Sequence, residues 1–273
     1  MQLLTLLTDF GTADYYVAAV KGTVLRLAPG TALVDVSHQV PPGDVETAAF
    51  LLAAAAPSFP EGTVHLAVVD PGVGSSRRIL AVRTPTAWFV APDNGLLTPV
   101  LDAAVAIRAV ERADLFLAGP GQTFHGRDRF APVAAWLLRG GDEAGLGPEI
   151  ADPRRLLSPP PRREPGRICG RVVHVDRYGN LVTDIPAGWL PAAPCRAKVS
   201  GPAGEQFASH RVSHYAEIPA GEAALLTGSL GTLELSLNGD DLARRWRVSS
   251  GAAVEITWEE EEPALGRSEV TTG

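Results

Sequence analysis

The first 150 or so residues alternate short, uninterrupted apolar runs with segments of helical periodicity, and this alternation constrains the fold more than any other feature. A strand that is apolar throughout is buried on both faces, because a strand with one face in water alternates apolar and polar residues. The pattern predicts strands at residues 3–7, 32–36, 64–69, 79–83 and 87–90. It predicts helices at residues 15–27, 45–56 and 131–138. Apolar strands that alternate with helices indicate an α/β domain with a mainly parallel sheet, which we place at residues 1–151.

The composition changes after this domain. Residues 152–165 read DPRRLLSPPPRREP, a segment rich in proline and arginine. Proline lacks a backbone N–H and cannot take part in a regular ladder. We therefore expect a stiff linker at residues 152–166.

A second pattern follows the linker. Residues 170–176 alternate apolar and polar side chains as a strand does. Further short β-like segments lie at residues 196–200, 223–226, 231–237 and 253–258, and a helical pattern is confined to residues 240–246. The sequence predicts a small β-barrel-like or sandwich domain at residues 167–258 and a disordered acidic tail at residues 259–273.

The charge balance limits the kinds of partner. The chain has 24 Lys and Arg against 31 Asp and Glu, a net charge of −7. An acidic chain is a poor non-specific ligand for nucleic acid and gives no reason to expect an anionic membrane as a partner. The longest apolar run, residues 48–56, is far shorter than the ~20 residues of a membrane span.

The start of the chain and its cysteines predict a cytoplasmic location. Residues 1–5 lack the basic region of a signal peptide, and the chain reaches Asp9 soon afterwards. The two cysteines, Cys169 and Cys195, are too few for a disulfide framework or a four-ligand zinc site. A single disulfide between them stays open on the sequence alone.

Four polar clusters lie where predicted strands end and loops begin, the edge at which open α/β sheets bind ligands. In the first, TDFG at residues 8–11, Asp9 can accept hydrogen bonds from a sugar diol or cap the next helix. In the second, DPGVGSSRR at residues 70–78, the glycines allow a tight loop in which Asp70 and Arg77 approach one another. This loop lacks the spacing of a phosphate-binding loop, which leaves a functional pair or a structural turn with a surface ion pair.

The third and fourth clusters add a histidine and an aromatic residue. The third, TFHGRDRF at residues 123–130, surrounds His125 with glycine and charges, which suits proton exchange or a bridging role in a polar loop. The fourth, DRYGN at residues 176–180, is typical of a hairpin turn. Alternatively, Tyr178 stacks on a flat base and Asn180 bonds its edge.

The sequence predicts no metal site. None of the six histidines belongs to an HExxH motif. His210 and His214 have helical spacing, but the residues between them are typical of an extended segment. The Gly-x-Ser-x-Gly elbow of many serine hydrolases is also missing.

Taken together with PDNGLL at residues 92–97, these clusters identify a family resemblance. In this order they resemble the adenosine-forming S-adenosyl-L-methionine (SAM) hydrolases, or SAM hydroxide adenosyltransferases, which are relatives of the fluorinases and chlorinases. The resemblance spans residues 3–258. It implies an N-terminal α/β domain, a C-terminal β-barrel-like domain, and a homotrimer whose substrate sites lie between neighbouring subunits. It implies no cofactor, since SAM is itself the substrate.

The resemblance also implies roles for individual residues. Asp70, Arg77 and His125 match a catalytic set, and the spacing from the DPGVG motif favours Arg77 over the adjacent Arg78. The residues expected to contact substrate are Asp9 at the ribose diol, Asp176 at the methionine amino group, Tyr178 and Asn180 at adenine, and Phe124, Gly126, Ser229 and Leu230 around them. We expect water, activated without a metal, to attack the ribose 5′ carbon in line and release adenosine and methionine.

Two other functions stay open at this stage. One is a SAM-dependent halogenase of the chlorinase kind, although those enzymes have an aromatic or small residue where this chain has Asp70, and a carboxylate repels a halide. They also differ at His125 and Gly126. Gly43 and Leu230 replace a tryptophan and an arginine of the fluorinases, so the contacts of those side chains do not carry over. The other function is a non-catalytic sensor that binds adenosine or SAM.

Overall fold

A computed structural model describes residues 2–119, 121, 123–202 and 204–259. The chain divides into two compact units, Met1–Ser158 and Pro159–Gly273, called here the first unit and the second unit. The predicted acidic tail lies outside the described residues, apart from Glu259.

The first unit contains a six-stranded sheet in the order β2-β1-β3-β5-β4-β6. Its strands are β1 Leu3–Thr8, β2 Ala32–Ser37, β3 Thr63–Val68, β4 Ile79–Arg83, β5 Ala87–Pro92 and β6 Ala106–Ala109. Its helices are α1 Tyr16–Leu27, α2 Val45–Ala55 and α3 Ala131–Leu138. The pairs β2-β1, β1-β3 and β3-β5 are parallel, and β4 is antiparallel to both β5 and β6. The mainly parallel sheet predicted from the apolar runs is confirmed.

Helices cover both faces of this sheet, which explains why its central strands are apolar throughout. Every residue of β1 and β3 is buried. Leu4 and Leu6 pack on one face in a cluster that includes residues of α1 and α3. Leu7 packs on the other face, in a cluster with Ala48 and Leu52 of α2. Successive side chains of a strand point to opposite faces, so a strand between two helical layers needs apolar residues at consecutive positions.

The second unit is a nearly closed barrel, as the sequence predicted. Its strands are β7 Arg162–Glu164, β8 Arg167–Val175, β9 Leu181–Pro186, β10 Cys195–Gly201, β11 Gly204–Ala208, β12 His210–Arg211, β13 Ala223–Thr227, β14 Thr232–Leu237 and β15 Ala253–Trp258. They form the order β11-β10-β15-β8-β9-β14-β13-β12, with β7 paired to β8, and one helix follows β14, α4 Leu242–Trp246. The end strands β11 and β12 are separated in the chain by Ser209 alone, so the sheet curls until its two edges almost meet.

The structure differs from the predicted linker over its last residues. Arg162–Glu164 form β7 and pair antiparallel with the start of β8. The prolines at residues 159–161 precede this strand and Pro165 follows it, so no proline occupies one of its positions. Proline at the ends of a strand removes no hydrogen bond from the ladder, and the composition therefore did not exclude a strand here.

The two cysteines are both free thiols, so the disulfide that the sequence left open is not formed. Burial raises the pKa of the Cys195 thiol. Within the described ranges, none of the helices has the length and apolar character needed to cross a membrane.

One histidine lies inside the first sheet. His65 on β3 is 1% exposed, and its Nδ1 lies 2.7 Å from Thr5 Oγ1 on β1. Its ring stacks on Phe89 with 4.8 Å between centroids. Burial lowers the pKa of His65 from the ordinary 6.5 to about 4. The folded protein therefore keeps this imidazole uncharged at neutral pH.

The unfolding free energy should fall as the pH drops from 6.5 to about 4, because in that window the unfolded chain protonates His65 and the folded chain does not. The separation of the two pKa values corresponds to roughly 3 kcal/mol. Urea unfolding at a series of pH values measures this loss. His65→Asn should flatten that part of the profile, because the variant has no imidazole at this buried position. Equal slopes in the wild type and His65→Asn would refute the assignment.

Candidate active site

The parallel pairing of β1 and β3 brings two carboxylates to one edge of the sheet. Thr8, the last residue of β1, is opposite Val68, the last residue of β3. Asp9 and Asp70 follow closely and both line a cleft of about 570 Å³, called here the first cleft. The edge predicted from the ends of the strands is therefore the edge that carries the cleft.

The loop that starts at Asp70 folds back so that Arg77 reaches it. Val73 N–H donates to Asp70 O, and Gly74 adopts a φ of +83°, a conformation that glycine allows. Arg77 Nε lies 3.0 and 2.9 Å from the two Asp70 carboxylate oxygens, and Nη2 donates to Oδ2 as well. Both side chains are only 5% exposed. The alternative of a surface ion pair is wrong, because this pair is buried.

His125 completes a three-residue group. Arg77 Nη2 lies 2.8 Å from His125 Nδ1. A guanidinium has no acceptor, so Nδ1 must accept and the ring proton must lie on Nε2. Burial lowers the pKa of His125, and the charges of Arg129 and Arg77 lower it further, while Asp70 opposes them. The imidazole is thus held neutral with a single N–H.

Two donors of this group have no partner among the described residues. His125 Nε2 and Arg77 Nη1 are both buried and make no hydrogen bond there. His125 and Asp70 line the first cleft, whereas Arg77 is not among its lining residues and instead contacts both of them. The Arg77 guanidinium also lies 5.0 Å from the centre of the Phe130 ring. A buried donor without a partner is costly, and a ligand in the cleft can supply the partner of His125 Nε2.

A π-helical turn positions His125. The turn, Gly126–Phe130, begins directly after His125 and continues into α3. A Cβ atom at Gly126 would lie 3.2 Å from carbons of the Phe10 ring, so glycine permits the close approach of this turn to Phe10. π-Helical turns of this kind occur frequently at functional sites.

Asp9 has one carboxylate oxygen available. Its Oδ2 accepts a hydrogen bond of 2.9 Å from Gly43 N–H, and its Oδ1 accepts none from the described residues. The capping alternative is wrong: α1 has no side-chain cap at its N-terminus, and Asp44 caps α2. A backbone donor therefore holds Asp9 through Oδ2, and its Oδ1 stays available to a ligand in the first cleft.

Contacts in the first unit give structural roles to Asn94 of the PDNGLL motif and to Arg78. Asn94 of the PDNGLL motif donates to Val69 O at 2.8 Å and so fixes the backbone just before Asp70. Arg78 binds Asp93 and Asp152 instead of the group around Asp70. The spacing that favoured Arg77 over Arg78 thus agrees with the contacts.

Sequence reasoning missed two aromatic residues. Tyr15 and Tyr16 line the first cleft, stack on each other at 4.6 Å, and meet Phe124 edge to face. Arg127 lies 4.9 Å from the centre of the Phe124 ring. Both tyrosines fall at the start of a predicted helix, where periodicity gives no indication of exposure. The evidence that they belong to the cleft is their exposure, 63% for Tyr15 and 38% for Tyr16, and exposure is known only from the fold.

The second unit carries a separate cleft of about 630 Å³, called here the second cleft. Asp176, Tyr178 and Asn180 line it, in the hairpin turn between β8 and β9. The turn has a structural role, and it also presents a Tyr178 side chain that is 76% exposed. Ser229 and Leu230 lie in the turn between β13 and β14; both are exposed, and neither lines the second cleft.

No group of three or more His, Cys, Asp or Glu side chains is arranged to hold a metal ion within the described part of the chain.

Comparisons with known proteins identify the family. Residues 4–147 match the family model for the N-terminal domain of SAM hydroxide adenosyltransferases, and residues 170–255 match the model for the C-terminal domain. The chain belongs to the SAM hydroxide adenosyltransferase family, and the prediction from its motifs is confirmed.

Similar proteins and a similar solved structure agree with this family assignment. The chain is 39% identical to "(R)-S-adenosyl-L-methionine hydrolase" of Salinispora tropica, over 92% of this chain and 95% of the relative. It is 29% identical to "Fluorinase" of Actinoplanes sp. (strain N902-109), over 93% and 97%. The crystal structure of an uncharacterized conserved protein from Thermotoga maritima matches with a TM-score of 0.86 and 34% identity, covering 93% of this chain and 99% of that one.

His125 should stay neutral, with its proton on Nε2, throughout the neutral pH range, because Arg77 occupies Nδ1 and the pKa is lowered below 6.5. Long-range ¹⁵N–¹H correlation of the imidazole nitrogens measures the tautomer and the titration. A His125 ring with its proton on Nδ1, or one that titrates above 6.5, would contradict the arrangement.

Proposed function

We propose that this protein hydrolyses SAM to adenosine and L-methionine by attack of water on the ribose 5′ carbon. The observation that carries the proposal is the buried group of Asp70, Arg77 and His125 at the first cleft. Membership of the SAM hydroxide adenosyltransferase family supports it, as does the similarity to proteins named (R)-SAM hydrolase.

The chemistry requires activation of the nucleophile more than of the leaving group. The sulfonium of SAM departs as a neutral thioether, whereas water is a poor nucleophile. As the oxygen–carbon bond forms and the carbon–sulfur bond breaks, one proton must leave the water. Of the two groups that line the cleft, His125 already uses its Nδ1 lone pair to accept from Arg77. Asp70 accepts three hydrogen bonds from Arg77, which leaves one of the about four lone-pair sites of its carboxylate, so we assign the proton to Asp70.

The other two residues position the water and the base. His125 Nε2–H is a buried donor without a partner among the described residues, and it suits the water oxygen. Arg77 contacts both Asp70 and His125, so it fixes their separation and keeps the carboxylate in one orientation. Correct positioning of this kind can lower a barrier by about 7–11 kcal/mol. No step in this scheme requires a metal.

Substrate recognition is proposed for both clefts. The unpaired Oδ1 of Asp9 suits the ribose diol in the first cleft, beside Phe124 and Gly126. Tyr178 and Asn180 suit adenine in the second cleft. Following the family resemblance, we propose a homotrimer in which the first unit of one subunit and the second unit of its neighbour share each substrate.

A halogenase is the second candidate, since fluorinases are among the relatives. Asp70 argues against it, because a carboxylate that lines the cleft repels a halide. A non-catalytic sensor of adenosine or SAM is the third. The buried Nε2–H of His125, unpartnered among the described residues, lies in a residue that lines the same cleft as Asp70, and a donor and an acceptor at one cleft favour an enzyme that orients water over a sensor.

Purified protein incubated with SAM should yield adenosine and methionine, resolved by chromatography with mass detection, and the yield should be the same with and without chloride. Addition of a chelator should leave the rate unchanged, since the scheme contains no metal. A chloride-dependent 5′-chloro product would instead assign a halogenase. Intact SAM that binds tightly would assign a sensor.

Asp70→Asn should lower kcat by roughly 10²- to 10⁴-fold, because the amide keeps the shape of the carboxylate but cannot accept the proton. Binding of adenosine, measured by calorimetry, should persist. Asp102→Asn provides the matched control, because it removes the same charge from a side chain that is 86% exposed. Turnover of Asp70→Asn close to that of the control would remove Asp70 from the mechanism.

A further inference from the structure

A buried histidine, His38, lies next to the turn that carries Asp9. His38 follows β2 directly and is 5% exposed. Its Nδ1 lies 2.8 Å from Oγ1 of Thr8, the last residue of β1, which is fully buried. Neither His38 nor Thr8 lines the first cleft, so direct contact with a ligand there does not account for the pair. A buried polar pair is costly unless its hydrogen bonds are made, and these two side chains supply each other's partner.

A register shift between β1 and β2 places His38. Leu6 is opposite Asp35, whereas Leu7 is opposite Ser37, so β2 contains one more residue than β1 at this point. In a regular strand, residues three apart point to opposite faces of the sheet. The extra residue, as in a β-bulge, allows Asp35 and His38 to meet on one face. His38 Nε2 accordingly lies 3.1 Å from Asp35 Oδ1.

The charges beside His38 set the direction of its hydrogen bonds. Asp35 Oδ2 accepts from Lys21 Nζ at 2.6 Å. Burial opposes ionisation of Asp35, but its contacts with Lys21 and His38 lower the pKa of this carboxyl below the ordinary value. An ionised carboxylate can only accept, so Asp35 favours the tautomer of His38 with the proton on Nε2. Nδ1 then accepts from the hydroxyl of Thr8.

The same two residues hold the backbone on both sides of Asp9. Thr8 Oγ1 accepts from Phe10 N–H at 3.3 Å. The carbonyl oxygen of His38 accepts from Gly11 N–H at 2.8 Å. The Thr8 hydroxyl thus donates to the ring and accepts from the turn. Asp9 lies between these fixed positions, and the direction of its available Oδ1 in the first cleft depends on them.

We propose that His38 is a positioning residue that, through the Thr8 hydroxyl, fixes the turn that presents Oδ1 of Asp9 to the ribose diol. The inference rests on the proposed function, because it takes the ribose of SAM as the group beside Asp9. An oxygen with two lone pairs can accept from both hydroxyls of a diol when it is correctly directed. A turn that shifts no longer meets both hydroxyls at once, so the second hydroxyl then contributes less to binding.

Substitutions at Thr8 separate this role from a general loss of stability. Thr8→Val removes the hydroxyl and keeps the shape of the side chain, whereas Thr8→Ser keeps the hydroxyl. Thr5→Val is the matched control. Thr5 lies on the same strand, is 1% exposed, and its Oγ1 lies 2.7 Å from Nδ1 of the buried His65. The control therefore removes the same kind of buried contact at a position that does not line the first cleft.

The test measures binding of adenosine and of 2′-deoxyadenosine to the full chain by calorimetry. The wild-type protein should prefer adenosine by about tenfold or more, because the deoxynucleoside lacks one hydroxyl that donates to a carboxylate. Thr8→Val should lower this preference at least about threefold, mainly through weaker binding of adenosine, and His38→Leu should do the same. Thr8→Ser and Thr5→Val should both keep the wild-type preference.

Three outcomes would overturn the inference. In the first, Thr8→Val and His38→Leu keep the wild-type preference. In the second, Thr5→Val loses the preference as much as Thr8→Val does, which would make the effect one of stability. In the third, the wild-type protein binds both nucleosides equally or neither of them. A preference that is lost only in Thr8→Val and His38→Leu, in a protein that leaves SAM intact, would support the role of His38 and refute the proposed hydrolysis. Hydrolysis of SAM with an unchanged preference in these variants would refute the role alone.

Discussion

The buried ion pair between Asp70 and Arg77 is the interaction on which the rest of the first cleft depends. Each side chain is 5% exposed, and an isolated charge at such a position would cost several kcal/mol. Each charge therefore offsets much of the cost of burying the other. The loop between them must close for the pair to form. The closed loop is compact, since a Cβ at Gly72 would lie 3.4–3.6 Å from the side chains of Ser75, Arg77 and Asp70. The pair links the conformation of the loop to the geometry of the cleft.

The same pair determines the chemical state of His125. Because Arg77 donates to both the carboxylate and Nδ1, it selects one tautomer and opposes a positive charge on the ring. The Asp70 carboxylate and the His125 ring line the same cleft with different capacities, one to accept and one to donate. Two groups with different capacities suit the proposed activation of water.

Particular residues show how far the sequence could be interpreted. The apolar runs of β1 and β3 predicted buried parallel strands, because burial on both faces leaves a direct trace in composition. The strands β6, β7, β9, β11 and β12 were missed; β6, β7 and β12 are only two to four residues long, which is too short for a clear pattern. Loop motifs located Asp9, Asp70, Arg77 and His125, and contacts within the first unit excluded helix capping by Asp9 and a surface position for the Asp70–Arg77 pair. Tyr15 and Tyr16 had no motif and were found only through their exposure in the cleft.

The sequence by itself determined the fold class, the family and the residue types available for chemistry, because apolar periodicity and motif order are properties of a linear chain. The tertiary structure alone decided which groups meet and in which direction their hydrogen bonds run. Arg77 and His125 are far apart in sequence, yet 2.8 Å separates their nitrogens, and that contact assigns the proton of the ring. Asn180 likewise could face either way until the carboxylate of Asp176 was placed beside its nitrogen. The direction of a hydrogen bond depends on its partner, and the partner is chosen by folding.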